Sequence, residues 1–506
     1  MATGDAVAQN SGVSGAKFEG ASATSQPQAQ FDVIRRYATL IAILAAGAEV
    51  LLLICGLYNF RLSVALAFPI LIGIICGVSK GDISRAANSR DYLHPVQSGL
   101  AGGAALVGVG LHSTAGVVIA VVAVLTFLRF PLPSSRNFVV GLAAISPWTT
   151  ECIADGRGTG SILLGSVVCA VAVLTWIRSQ NVETLVVAFC LSTLVYVTAA
   201  VVLFLLGFRA DYNSAYLTDA IANYGPFTLR WRFPLAVSWV TVPTVAALGS
   251  VLCVWVVRLK RSSIGIGAVG IKAVCAVGIF VHLLAVLAAD GRTQIVAASL
   301  GVIIASGLMP RIIRSLLLVA AAFLWLAPLW WSRFADVAEK LVVDYLPMRG
   351  TAARTATLQG RTTIWDISLD DFGNSSFMEQ LSGWGPDGYI ASGTAAQYSG
   401  VLGVVYRSGY YPPHNALLEV LLSGGIALMV LVLVGIAFLV FMQLKVQRFG
   451  SEPAPAGVAA LGVALGVVAF PEVAVLCSNA SAAALGPMVT LICLTAYSQT
   501  INAARR

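Results

Sequence analysis

Apolar runs of about 20 residues, each long enough to cross roughly 30 Å of hydrocarbon as a helix, recur along almost the whole chain. Short polar connections separate them. The pattern predicts spans near 37–58, 61–79, 95–112, 114–129, 137–151, 160–177, 183–207, 234–257, 266–289, 294–309, 312–330, 415–443, 456–476 and 484–503. One polar stretch, from Trp331 to His414, is far longer than the rest. The expected fold is therefore all-α: a polytopic helix bundle of about 12–14 membrane helices with one large loop. The chain divides into a tail (1–36), an N-terminal bundle (37–330), the loop (331–414) and C-terminal helices (415–506).

Within the loop the period changes. Phe334, Val337, Leu341 and Leu346 fall near helical spacing with Asp336, Glu339, Lys340 and Asp344 between them, predicting an amphipathic helix at the membrane surface. A second such helix is predicted from Arg361, with Trp365, Leu369 and Phe372 on one face and Asp366 and Asp370 on another. SGWGPDGY reads as tight turns through Gly383, Gly385, Pro386 and Gly388. Pro412 and Pro413 then hold the approach to a new helix extended, with Asn415 as its cap and His414 beside it.

Composition agrees with a lipid environment: 58% of residues are hydrophobic and 11% charged, against about 25% charged in a soluble domain. The first 36 residues, rich in Ala, Ser, Gln and Gly, predict a disordered tail. The first apolar run starts late and is full length, so no cleavable signal is expected. The nine cysteines are scattered singly, mostly in apolar runs, and read as packing residues; no spacing suggests a metal site.

Charge orients the spans. Alternate connections carry Arg35 and Arg36; Lys80, Arg85 and Arg90; Arg129 and Arg136; Arg178; Arg258, Lys260 and Arg261; Arg311 and Arg314; Lys445 and Arg448; and Arg505 and Arg506. Basic residues are retained on the cytoplasmic side, so both termini are expected there. The long loop has six Lys/Arg and eight Asp/Glu and is expected on the outer face. No G-x-x-x-x-G-K phosphate cradle lies in the connections, which argues against direct use of a nucleotide.

Candidate chemistry gathers on that outer face. Arg292, in a turn between two spans, suits an anionic ligand, with pairing to Asp290 as the alternative. Arg361 begins the second loop helix. His414 carries an imidazole able to take a proton near neutral pH, with a structural role as the alternative.

GRTTIWDISLDDF, LSGWGPDGY and PPHNALLEVLLSGGI, with GRTQIVAAS upstream, resemble the signature elements of the O-antigen ligase and O-antigen polymerase superfamily of bacterial membrane glycosyltransferases. The chain departs from that pattern in having Asp290 and Gly291 where the family more often has Ser. The resemblance spans Asp290 to Gly425. It implies transfer of a glycan from a polyprenyl-diphosphate carrier to an acceptor hydroxyl, with inversion and without metal or cofactor, on the outer face of a bacterial cytoplasmic membrane. It further implies that Arg292 and Arg361 hold the diphosphate and that His414 is the general base. The partners are then the lipid-linked donor, a cell-envelope glycan or glycolipid acceptor and the bilayer, with no nucleic acid. Ligase and polymerase are not separated by these motifs.

The Tyr-rich insert before His414, with Tyr389, Tyr398, Tyr406, Arg407, Tyr410 and Tyr411, suits acceptor contacts, the alternative being ordinary interface aromatics. Gly385 and Gly388 can let backbone approach substrate. The competing function is a lipid-linked glycan flippase or transporter. Such proteins use ionisable residues deep in the membrane, and here Glu49 is the main deep charge, with Lys272 nearer the cytoplasmic end, Glu472 nearer the outer end and His282 reading as a packed, hydrogen-bonded side chain.

Overall fold

A computed structural model describes residues 181–208, 231–235, 240–260, 268–289, 291–331, 361–385, 387–402, 412–470 and 485–504, with single residues between 96 and 107. The tail, the early spans, the surface helix near Phe334, Arg407 and Tyr411 lie outside these residues. Among the described residues the protein is helical and has no strands.

Twelve helices have described ends. The first five are α1 (Val182–Leu205), α2 (Thr241–Arg258), α3 (Ala268–Ala288), α4 (Arg292–Ala305) and α5 (Arg311–Leu324). The loop supplies α6 (Arg361–Asn374), α7 (Phe377–Ser382), α8 (Gly388–Ala391) and α9 (Thr394–Leu402). The last three are α10 (Ala416–Phe449), α11 (Ala454–Ala469) and α12 (Leu485–Ala504). Four of them, α1, α2, α3 and α10, are long and apolar enough to cross a membrane. The expected span at 312–330 is not one helix: α5 ends at Leu324, residues 325–326 turn, and a short helical segment follows at 327–331.

The bundle is assembled through small residues, which allow helix axes to come close where apolar surroundings provide no hydrophobic drive. A Cβ on Gly457 of α11 would stand 2.0 Å from the Trp255 ring of α2, and one on Gly466 would stand 2.6 Å from the Ala321 carbonyl oxygen of α5. Outward faces are apolar instead of polar. Val269, Val277 and Phe280 on α3, Ile312 and Leu316 on α5, and Phe441 on α10 are exposed, as suits a lipid-facing surface.

Side-chain contacts set the relative directions of the helices. Gln294 of α4 donates to Thr244 of α2 at 3.2 Å, and a Cβ on Gly301 of α4 would meet Val251 of α2 and Ala464 of α11. Therefore α2 and α4 run parallel, α11 runs against both, and the start of α4 shares an end of the bundle with the end of α11. Five basic residues collect at the other end. Arg258 donates to the Ala305 carbonyl at the end of α4 at 2.8 Å, and Arg314 and Arg311 reach Glu452 at 2.6 and 3.9 Å. Lys445 and Arg448 close α10 over the Phe449 ring.

Arg314 is buried while Glu452 is half-exposed, and the contact at Nη2 replaces part of the hydration that the guanidinium has lost. Glu452→Gln should therefore destabilise the bundle by about 2 kcal/mol, and Arg314→Met by less, because only the first leaves a buried charge without its acid. Thermal unfolding of the two variants in detergent, followed by tryptophan fluorescence, checks the order.

Candidate functional site

The loop helices build a small core of their own. Ala327, Ile364, Trp365, Phe372, Tyr389, Ala395, Tyr398, Leu418, Leu421 and Leu422 pack together, so the first two turns of α10 form the floor on which α6, α8 and α9 rest. The expected amphipathic helix at Arg361 is α6, with Trp365 and Phe372 buried and Asp366 and Asp370 exposed. Partial loss of hydration against the loop, and then the neighbouring Asp370, raises the Asp366 carboxyl above its usual range.

The expected continuous span at 415–443 is broken. Gly425 stands at φ +65° and ψ −166° inside α10, so the carbonyls of Leu422 and Ser423 lose their regular acceptor geometry along the helix. The SGWG turn restores partners to both: Trp384 N–H donates to Leu422 O at 3.0 Å and Gly385 N–H to Ser423 O at 2.9 Å. The approach is backbone to backbone. A Cβ on Gly383, itself at φ +67°, would lie 2.3 Å from Ser423 O, and one on Gly425 would lie 2.5 Å from Leu381 C. Gly388 also sits on α10, where a Cβ would stand 2.2 Å from Leu422 O.

His414 occupies the entrance to α10 with φ +52°. A non-glycine residue in this region costs on the order of 1–2 kcal/mol, so the surroundings must hold it there. Two anchors flank it. Trp365 Nε1–H of α6 donates to Pro413 O at 3.1 Å. Asn415 caps α10 by accepting from Leu418 N–H at 2.9 Å, while its Nδ2 donates to Phe470 O, just past α11, at 2.8 Å. Phe470 also contacts the Trp331 ring at 5.3 Å between centroids and the Trp365 ring at 5.9 Å. The imidazole is thus buried between the loop core and the end of the bundle.

Arg361, half-buried, begins α6 one turn before Trp365, so it belongs to the same unit as His414. Arg292 is the exposed first residue of α4. Because α4 begins where α11 ends, Arg292 lies at the same end of the bundle as Phe470 and Asn415. A cation at a helix N-terminus is disfavoured by the backbone dipoles, and the two together suit an anion.

Other sequence candidates have different surroundings. Tyr389 is almost completely buried, and Gly388 is spent on contact with α10, so both serve the loop core and offer no surface to a substrate. Around Gly385, at φ +92°, a Cβ would meet nothing within 4 Å, leaving that point of the turn open. Tyr398 is buried, and burial and then the charge of nearby Glu419 push its phenol upward, so it stays a protonated donor. His282 is buried with Nδ1 2.7 Å from Gly278 O, a packed side chain as its sequence context suggested.

Two features were absent from the sequence reading. The Trp365 bond to Pro413 required knowing that α6 lies over the entrance to α10. The Glu419–Tyr398 neighbourhood required knowing that α9 does the same. The Ser-Gly-Gly run inside an apolar span was the available signal for a helix break.

Comparison with known proteins returned no matching family model and no matching curated protein.

The geometry distinguishes two glycines of one turn. Gly383→Ala should destabilise by about 2–4 kcal/mol, since both φ and backbone contact oppose it, whereas Gly385→Ala carries only the φ penalty of about 1 kcal/mol. Melting temperatures of the purified variants check this, and equal shifts would contradict the docked turn.

Proposed function

We propose that the chain is a glycosyltransferase that moves a glycan from a polyprenyl-diphosphate carrier to an acceptor hydroxyl at the outer face of a bacterial cytoplasmic membrane. The proposal includes a polytopic bundle of 12–14 spans with both termini cytoplasmic. The observation that carries it is the strained His414, anchored by Trp365 and Asn415 in one unit with Arg361. Arg292 starts a helix at the same end of the bundle. The ordered motifs from Asp290 to Gly425 support the same reading.

In this mechanism His414 takes the proton of the acceptor hydroxyl as its oxygen attacks the anomeric carbon. The bond from that carbon to the diphosphate oxygen breaks, and configuration inverts. Charge develops on the departing diphosphate, where the guanidinium groups of Arg361 and Arg292 meet it with paired N–H donors. Trp365 positions the imidazole through the Pro413 carbonyl without touching substrate. A chain extended by another lipid-linked unit makes the protein a polymerase; transfer to a different envelope glycan or glycolipid makes it a ligase.

Reconstitution with a polyprenyl-diphosphate glycan and envelope acceptors in the presence of chelator should yield product. His414→Ala should lower turnover by about 10²–10⁴, and Arg361→Lys should not restore what Arg361→Ala loses, because a point charge cannot replace the guanidinium fork. Trp365→Phe should lower turnover severalfold with little change in KM. Absence of transfer to every acceptor, with translocation of the lipid-linked glycan intact in the His414 variant, would identify a flippase instead.

A further inference from the structure

Three cysteines far apart in sequence converge inside the bundle. Cys190 comes from α1, Cys253 from α2 and Cys275 from α3, and none has any exposed surface. Cys190 Sγ lies 3.4 Å from Cys253 Sγ and 3.5 Å from Cys275 Sγ, and all three sulfurs fall within 4.8 Å of one another. Packing alone asks only for small apolar groups here, and the same helices use Ala and Gly freely for that purpose. Gly278 of α3 leaves the space that Cys253 Sγ fills, for a Cβ there would stand 3.1 Å from the sulfur.

We propose that Cys190, Cys253 and Cys275 form a three-sulfur binding site for a soft, thiophilic metal ion, Cu(I) being the ion that suits it. A metal–sulfur bond of about 2.3 Å sets the sulfurs of a trigonal site about 4.0 Å apart, close to the separations present here. Among the described residues no histidine, aspartate or glutamate joins the group. His282, two turns along α3, holds its Nδ1 against Gly278 O. Zinc favours a tetrahedral set of four ligands, whereas thiols select Cu(I) by softness.

Charge favours the same ion. Binding breaks S–H bonds and forms Cu–S bonds; copper stays at +1, no electron moves, and each thiol that ionises releases one proton to solvent. With one ionised thiol the site is neutral, and with two it carries −1, which limits the cost of placing it in an apolar interior. The bound ion would link α1, α2 and α3.

The test uses the full-length protein, reduced and free of oxygen in detergent, titrated with Cu(I) held by a competing chromogenic chelator. Wild type should withdraw one Cu(I) per chain, and X-ray absorption of that complex should show a first shell of sulfur only. Cys190→Ser, Cys253→Ser and Cys275→Ser should each weaken binding at least tenfold while keeping the gel-filtration profile of wild type. Cys493→Ser, which changes a buried cysteine outside the cluster, should bind as wild type does. If the single variants misfold, the first shell of wild type still decides. No uptake by wild type, undiminished uptake by the folded triple serine variant, a shell containing nitrogen or oxygen, or a Cys190–Cys253 disulfide in protein isolated with its thiols blocked would overturn the proposal.

Discussion

A helix broken in apolar surroundings must find new partners for the carbonyls it releases, and this requirement organises the end of the molecule where the candidate site lies. At Gly425 the partners are the amide groups of Trp384 and Gly385. The long polar loop is therefore not an appendage: its central turn completes the hydrogen bonding of α10. Because the contact is backbone to backbone, it tolerates no Cβ at Gly383 or Gly425. It also fixes α7 and α8 against α10 to within a hydrogen bond's tolerance.

From that docking the rest of the loop follows. The first turns of α10, tied to the turn, offer Leu418, Leu421 and Leu422 as a floor, and Trp365, Phe372, Tyr389 and Tyr398 cover it. Trp365 is then in position to hold Pro413, and Asn415 holds both the start of α10 and the end of α11. His414 lies between these anchors, in a backbone conformation that an isolated chain would populate rarely. Two ends of the bundle have opposite characters: Arg258, Arg311, Arg314, Lys445 and Arg448 occupy one, and the loop helices with Arg361 and His414 occupy the other.

The middle of the bundle has a separate logic. Close packing of α1, α2 and α3 through small residues brings three thiols together, at positions that share no local motif. Cys190 and Cys275 are 85 positions apart, and the direct packing of α3 on α1 makes them neighbours. The cluster and the loop site occupy different parts of the bundle, so each can be altered without touching the residues of the other.

Much was legible in the chain itself, because periodicity and capping are local. The helix boundaries of α1, α3 and α12, the start of α10, the amphipathic α6, the positive-φ turn glycines and the Asn415 cap all follow from residues a few positions apart. Contacts between distant segments were not legible. The break at Gly425 looked like any glycine in an apolar span until the SGWG turn was found against it. Tyr389 and Gly388 looked available to substrate until the loop core enclosed them. What the amino-acid sequence by itself determined, among the described residues, was where the long apolar helices lie, which face of α6 is apolar and where the chemistry-bearing residues fall. Which of those residues meet, and which are buried instead, was decided only by tertiary packing, since hydrogen bonds such as Trp384 to Leu422 and Trp365 to Pro413 join segments that no local rule relates.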